Sequence, residues 1–164
     1  MPDNQTAIAD TSVLIAFEKL GKLDLLCLTY DEIFLPDAVC QEYASDLQPC
    51  FVLKTAPESI THFLVNHTGL GRGESESISL AHSTGIRVLI DDLKARKIAL
   101  DLGCHVTGTI GVLYKMEQKN IIHNAYNHVI KLKEIGFHIS ERFPFWMSEF
   151  CTLTLKTARL TPGI

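Results

Sequence analysis

Six carboxylates in this chain hold positions from which they could converge on one spot: Asp10 after TAIA, Glu42 in AVCQEY, Glu74 and Glu76 in LGRGESESI, and Asp91 and Asp92 after RVLI. Acids scattered over a surface are merely solvated, whereas acids gathered together repel unless a cation stands between them. A hard divalent cation accepts oxygen ligands, keeps part of its water shell, and can activate a water against a phosphoryl group. The chemistry to expect of such a set is metal-assisted hydrolysis.

Each acid also has a plainer use. Asp10 is the hardest to explain away, because a charge that closes an apolar strand is costly to desolvate without a partner. Asp92, just ahead of LKARKIA, would serve as a helix N-cap worth about 1 kcal/mol, and one aspartate can both cap a helix and face a site. Glu42 sits beside Val39 and Tyr43 and, taken alone, reads as a helix-edge glutamate. Glu74 and Glu76 are two residues apart, about 200° around a helix, so one alone can be a ligand. The other then stabilises the helix N-terminus through the dipole. Four acids without a metal would repel a phosphate group, so attraction must come from cations beside them: Arg72, Lys94, Arg96 and Lys97. A KARK run otherwise reads as a solvated helix face; Arg96 is the strongest candidate for phosphate contact or for pairing with a site acid.

The elements that must position these groups alternate between strand and helix. TAIA is a short apolar strand, Thr11 or Ser12 offers an N-cap, and VLIAFEKL runs as a helix to Gly21. LDLLCL reads as a second helical piece. EIFLP is strand-like, and Pro36 suits the first turn of a helix through Glu42 and Leu47. FVLKTAP reads as a strand and ESITHFLVNH as a helix. After Gly69, Gly71 and Gly73, ESESISLAHS has a helical apolar face. RVLI is a buried strand, DLKARKIALDL a helix, CHV a short strand, and IGVLYKMEQK and IIHNAYNHVIKLKEIG further helices. ISERFPFWMSEF also looks helical, with Pro144 disturbing its start. Strands alternating with helices imply a mostly parallel sheet covered on both faces. In such sheets ligands bind beyond the carboxyl ends of the strands, which is where Asp10 and the Asp91–Asp92 pair fall.

Composition sets the bounds. A chain of 164 residues is long enough for one domain, which would bury roughly 70% of its unfolded surface without disulfides. The 46% hydrophobic and 21% charged fractions suit a globular protein. No apolar run approaches the roughly 20 residues needed to span a bilayer. MPDNQT lacks the basic start and apolar stretch of a secretory leader, so a cytoplasmic protein is expected. The five cysteines are odd in number, widely spaced and set among apolar neighbours, and read as reduced core residues. A net charge of −4 excludes a broad nucleic-acid-coating surface but not a local groove.

The ordered stretches IADTSVLIAFEKLGKLDLL, FLPDAVCQEY, LGRGESESISLA and VLIDDLKARKIALDLGCHVTGTIGVL resemble the PIN-domain family. More narrowly, they resemble its toxin-like bacterial and archaeal group, with an L-G-x-G-E-x-E motif and an I-D-D-x-x-A-R signature. The resemblance covers roughly residues 6 to 135 and rests on the ordered set of motifs. It implies an α/β fold, a PIN-like three-layer sandwich with a mostly parallel central sheet and helices on both faces. It assigns residues 1–140 to the PIN-like domain and leaves 141–164 as a C-terminal helical extension and tail packed on it. It implies Mg²⁺ or Mn²⁺ and RNA cleavage, with catalytic roles falling on Asp10, Glu42, Glu74 and one or both of Asp91 and Asp92. The metal set is Asp10, Glu42, Glu74 and Asp92, with Thr11, Ser12 and Glu76 in support and Arg72, Lys94 and Arg96 toward substrate. A small antitoxin partner and a homodimer are also implied. Two departures keep choices open: Glu74 stands where many members carry Asp, and LIDDLK lacks a Thr-x-Asp. Glu74 against Glu76, and Asp91 against Asp92, are therefore unresolved at this level.

Other chemistries fit worse. GLGRGE lacks the spacing of a dinucleotide or P-loop glycine motif. The DTS after Ala9 lacks the second Asp expected of an aspartyl-phosphate phosphatase. Seven histidines form no H-E-x-x-H and no pairing with cysteine, which disfavours zinc. The competing class is a catalytically silent PIN-like protein-binding or regulatory module.

Overall fold

A computed structural model describes residues 6–138. The chain runs β1 (Thr6–Ala9), α1 (Thr11–Lys19), a 3₁₀ turn (Leu23–Leu25) into α2 (Leu26–Thr29), β2 (Glu32–Leu35), α3 (Asp37–Tyr43), β3 (Phe51–Leu53) and α4 (Glu58–Thr68). It continues with α5 (Arg72–Thr84), β4 (Arg87–Leu89), α6 (Leu93–Asp101), β5 (Val106–Thr107), α7 (Thr109–Gln118) and α8 (Ala125–Glu134). The CHV strand begins two residues later than its sequence suggests, because Cys104 turns into the core and leaves Val106 as the first residue of β5.

The five strands among the described residues are all parallel, in the order β3-β2-β1-β4-β5. Side chains alternate across the sheet with period two. Ala7, Ala9, Ile33, Leu35 and Leu89 enter one core with Val13, Leu14 and Phe17 of α1, Val112 and Leu113 of α7, and Val129 and Leu132 of α8. Ile8, Val88 and Ile90 enter the other, with Leu64 of α4, Ile78 and Ala81 of α5, and Ala95 and Ala99 of α6. Helices thus cover both faces, giving the three-layer α/β sandwich expected. Strand order reverses at β1, with β2 on one side and β4 on the other. Such a switch point opens a crevice at the carboxyl ends of the two strands. The Asp10 N–H donates to the Leu89 carbonyl at 3.0 Å, holding both strand ends at that crevice.

The expectation of reduced cysteines is corrected for two of them. Cys27 in α2 and Cys50 just before β3 form a disulfide, with Cα atoms 5.6 Å apart. Ile33 in β2 donates its N–H to the Cys50 carbonyl, so the pairing of β2 with β3 is what brings the two cysteines together across 23 residues. No sequence spacing announces such a pair. Cys40 and Cys104 are free thiols. Cys151 and the expected extension over 141–164 lie outside the described residues. No described helix is long and apolar enough to cross a membrane.

Candidate active site

Asp10 ends β1 and caps α1. Its Oδ2 accepts the Ser12 hydroxyl at 2.8 Å and the Ser12 N–H at 3.3 Å, and the residue is only 4% exposed. Burial pushes its pKa from 3.8 up to about 6; the Ser12 hydrogen bonds oppose that rise and the nearby Glu74 charge adds to it. Among the described residues no Lys, Arg or His forms an ion pair with it.

Two further acids reach the same crevice from helices. Glu42, on the exposed side of α3, accepts the Thr11 hydroxyl on Oε2 at 2.7 Å. The same carboxylate lies against Gly73 in the first turn of α5, where a β-carbon would stand 2.9 Å from both oxygens. Glycine is what lets α5 approach α3 this closely. The next residue, Glu74, accepts the Gly71 N–H at 3.1 Å and is close enough to raise the Asp10 pKa. The circuit from Asp10 through Thr11, Glu42, Gly73 and Glu74 back to Asp10 closes around one site.

Glu76 points elsewhere, as the 200° offset requires. It is buried, accepts the Ala38 N–H at 2.7 Å, and takes Arg72 Nε at 2.8 Å on its other oxygen. Glu74 therefore stands at the crevice beside Asp10 while also accepting from the N-terminus of its own helix, and Glu76 stabilises the first turn of α3. Arg72 also donates through Nη2 to Glu58 at 2.8 Å, so two of its three nitrogens are held by carboxylates, and those two partners raise its pKa. A cleft of about 430 Å³ lies on this side of α3, lined among others by Asp37, Gln41, Glu58, Arg72 and Glu76; of the crevice acids it includes Glu42 alone.

Asp91 and Asp92 part company at the end of β4. Asp92 is exposed and caps α6, accepting the Ala95 N–H at 2.8 Å. Asp91 is half-buried, with Oδ1 on the Thr109 N–H at 2.7 Å and Oδ2 on the Thr109 hydroxyl at 2.5 Å. Burial raises its pKa, against the pull of the Thr109 hydrogen bonds and the Arg96 charge. Arg96 Nη1 donates to the Ile90 carbonyl at 3.2 Å. Lys94 reaches back over the turn between α4 and α5, its Nζ 3.2 Å from where a Gly69 β-carbon would stand. Thr109 was not among the sequence candidates. The signal available for it was a hydroxyl directly after Gly108 at the start of an apolar helix.

Among the described residues, no three His, Cys, Asp or Glu side chains are drawn together tightly enough to form a ready-made metal cage. The donor chemistry nevertheless fits a hard divalent cation: the ligands are all oxygen, and Asp10 is a buried acid beside a second acid with no ion-pair partner.

The family model for the PIN domain matches residues 6–144. No curated protein sequence matches the chain. PIN domains are generally nucleases that act on nucleic acid and use divalent metal ions. With that match over most of its length, and an all-parallel five-stranded sheet whose switch point carries the acids, the chain belongs to the PIN-domain family.

Proposed function

We propose that this protein is a metal-dependent endoribonuclease that hydrolyses RNA phosphodiester bonds, with Asp10, Glu42, Glu74 and Asp92 holding Mg²⁺ or Mn²⁺. The observation that carries the reading is Asp10: a carboxylate with its pKa at about 6, buried beside Glu74, gains most from a cation. When bound, the ion supplies charge neutralisation and an activated water for in-line displacement. The rest is the work of the chain. Ser12 holds Asp10 in one orientation and Thr11 holds Glu42, so both acids are positioned before substrate arrives. Lys94 and Arg96, beside the acids on α6, supply the positive rim that a phosphate backbone needs. Arg72, engaged by Glu58 and Glu76, anchors α5 instead.

The finer assignment is to the toxin of a toxin–antitoxin pair, supported by the LGRGESE and IDDLKAR motifs. A nuclease of that kind requires a small antitoxin protein that blocks the acidic crevice, and we propose that it acts as a homodimer. Co-purification of a short protein, and sedimentation as a dimer at micromolar concentration, test these two points.

Cleavage of a mixed RNA pool tests the activity. The wild type cuts in Mn²⁺ and stops in chelator, while Asp10→Asn keeps its fold and does not cut. Equal cleavage by both proteins contradicts the reading. Absence of Mn²⁺ binding by calorimetry points to a silent protein-binding module instead.

A further inference from the structure

Two consecutive aspartates follow β4, and the chain sends them to opposite sides of the sheet. Leu89 faces the core shared with α1 and α7, and Ile90 faces the core shared with α5 and α6. Continuing that alternation, Asp91 leaves toward α7, where it meets Thr109, and Asp92 leaves toward α6, which it caps. Asp91 is tied at both oxygens, by the N–H and the hydroxyl of one residue at the start of a ten-residue helix. Thr109 itself is fully buried.

The residue before it completes the arrangement. A β-carbon on Gly108 would stand 2.9 Å from Asp91 Oδ1 and would collide with Arg96 Nη1. The glycine lets the carboxylate and the guanidinium both lie on the backbone at this point, and Arg96 in turn grips the Ile90 carbonyl. The turn from β4 into α6 is thus pinned from two directions, through Asp91 to α7 and through Arg96 to its own strand.

We infer that Thr109 is a positioning residue: acting through Asp91, it fixes the turn after β4 and so sets where Asp92, at the start of α6, stands relative to the crevice between β1 and β4. This rests on the metal-site reading above and extends it to a residue that touches neither metal nor substrate. Partners that orient metal-binding groups typically matter by roughly 10- to 100-fold in affinity or activity.

The test compares wild type, Thr109→Val and Thr109→Ser. Valine keeps the shape and removes the hydroxyl; serine keeps the hydroxyl and removes the methyl. Mn²⁺ affinity is read from the electron paramagnetic resonance signal of free Mn²⁺, and RNA cleavage is read as separate kcat and KM. Thr109→Val is expected to weaken Mn²⁺ binding and lower kcat by roughly 10- to 100-fold with KM nearly unchanged, and Thr109→Ser to recover most of both. Wild-type behaviour in the valine variant overturns the inference, as does a serine variant no better than valine. Wild type that binds no Mn²⁺ overturns the metal-site reading and this inference with it.

Discussion

Gly73 and the Glu42 carboxylate are in such close contact that a β-carbon on the glycine would lie 2.9 Å from both carboxylate oxygens. The first turn of α5 meets the Glu42 side chain of α3 there, backbone against carboxylate. Gly73→Ala therefore pushes on the far end of a flexible, exposed glutamate, which can swing aside cheaply. Alanine also favours the helix by up to about 1 kcal/mol over glycine. The variant should melt at the wild-type temperature or above it, yet cleave RNA roughly 10- to 100-fold more slowly because Glu42 is displaced. Thermal melting and cleavage assays on one preparation check this; unchanged cleavage means that Glu42 is not needed where it stands.

Asp10 makes the metal-free protein sensitive to pH in a direction opposite to that of most aspartates. Its folded pKa of about 6 lies above the ordinary 3.8, so the folded state binds the proton more tightly than the unfolded chain. The contribution is fully present below pH 3.8 and is lost as the pH rises through about 6. The loss amounts to roughly 3 kcal/mol for this group alone. Asp91, also raised by burial, adds to it in the same direction. In chelator, Asp10→Asn should be more stable than wild type at pH 7.5 and lose that advantage near pH 3.5. Added Mn²⁺ should raise the melting temperature of wild type at pH 7.5 and not that of the variant. Differential scanning calorimetry at the two pH values reads both effects.

Glu74 and Glu76 should separate by what they damage. Glu76→Ala strips a buried carboxylate from the Ala38 N–H and from Arg72, so it should cost roughly 2–3 kcal/mol in urea unfolding. Glu74→Gln gives up only a partly exposed contact to the Gly71 N–H. It should leave the urea midpoint nearly unchanged and weaken Mn²⁺ binding. If both variants lose stability equally and bind Mn²⁺ equally, the two glutamates have not been told apart correctly.

The disulfide closes a segment that contains β2 and α3, and with them Glu42. By the chain-entropy account, a cross-link over 23 residues is worth roughly 3 kcal/mol. Reduction by a dithiol, or replacement of Cys27 and Cys50 by Ser, should lower stability by that order while Asp10 and Glu74 keep their places. Urea titrations of oxidised and reduced protein measure it; coincident curves would show that the cross-link adds nothing.

What could be read from the chain followed from local rules. TAIA is followed by a charge, so Asp10 stood out as an acid closing a strand, and helical spacing showed that Glu74 and Glu76 cannot both serve one site, without telling which does. The alternation of strands and helices specified a mostly parallel sheet, and the capping potential of Asp92 was plain from the helix behind it. What stayed hidden depends on contacts between distant elements. The Asp91 clamp spans 18 residues and needs β5 to bring Thr109 alongside β4. Arg72 looked free for substrate because its partner Glu58 belongs to α4, and the Cys27–Cys50 bond needs β2 to pair with β3. The Glu42–Thr11 hydrogen bond likewise arises only when α3 packs on α1.

The central claim is that the acids around Asp10 gather a divalent ion. Anomalous diffraction from crystals soaked in Mn²⁺ tests it most directly. The predicted result is a manganese peak bounded by the carboxylates of Asp10, Glu42, Glu74 and Asp92, with Asp91 still held by Thr109. A saturating soak that leaves this crevice without a peak, or places the ion on other residues, would contradict the account.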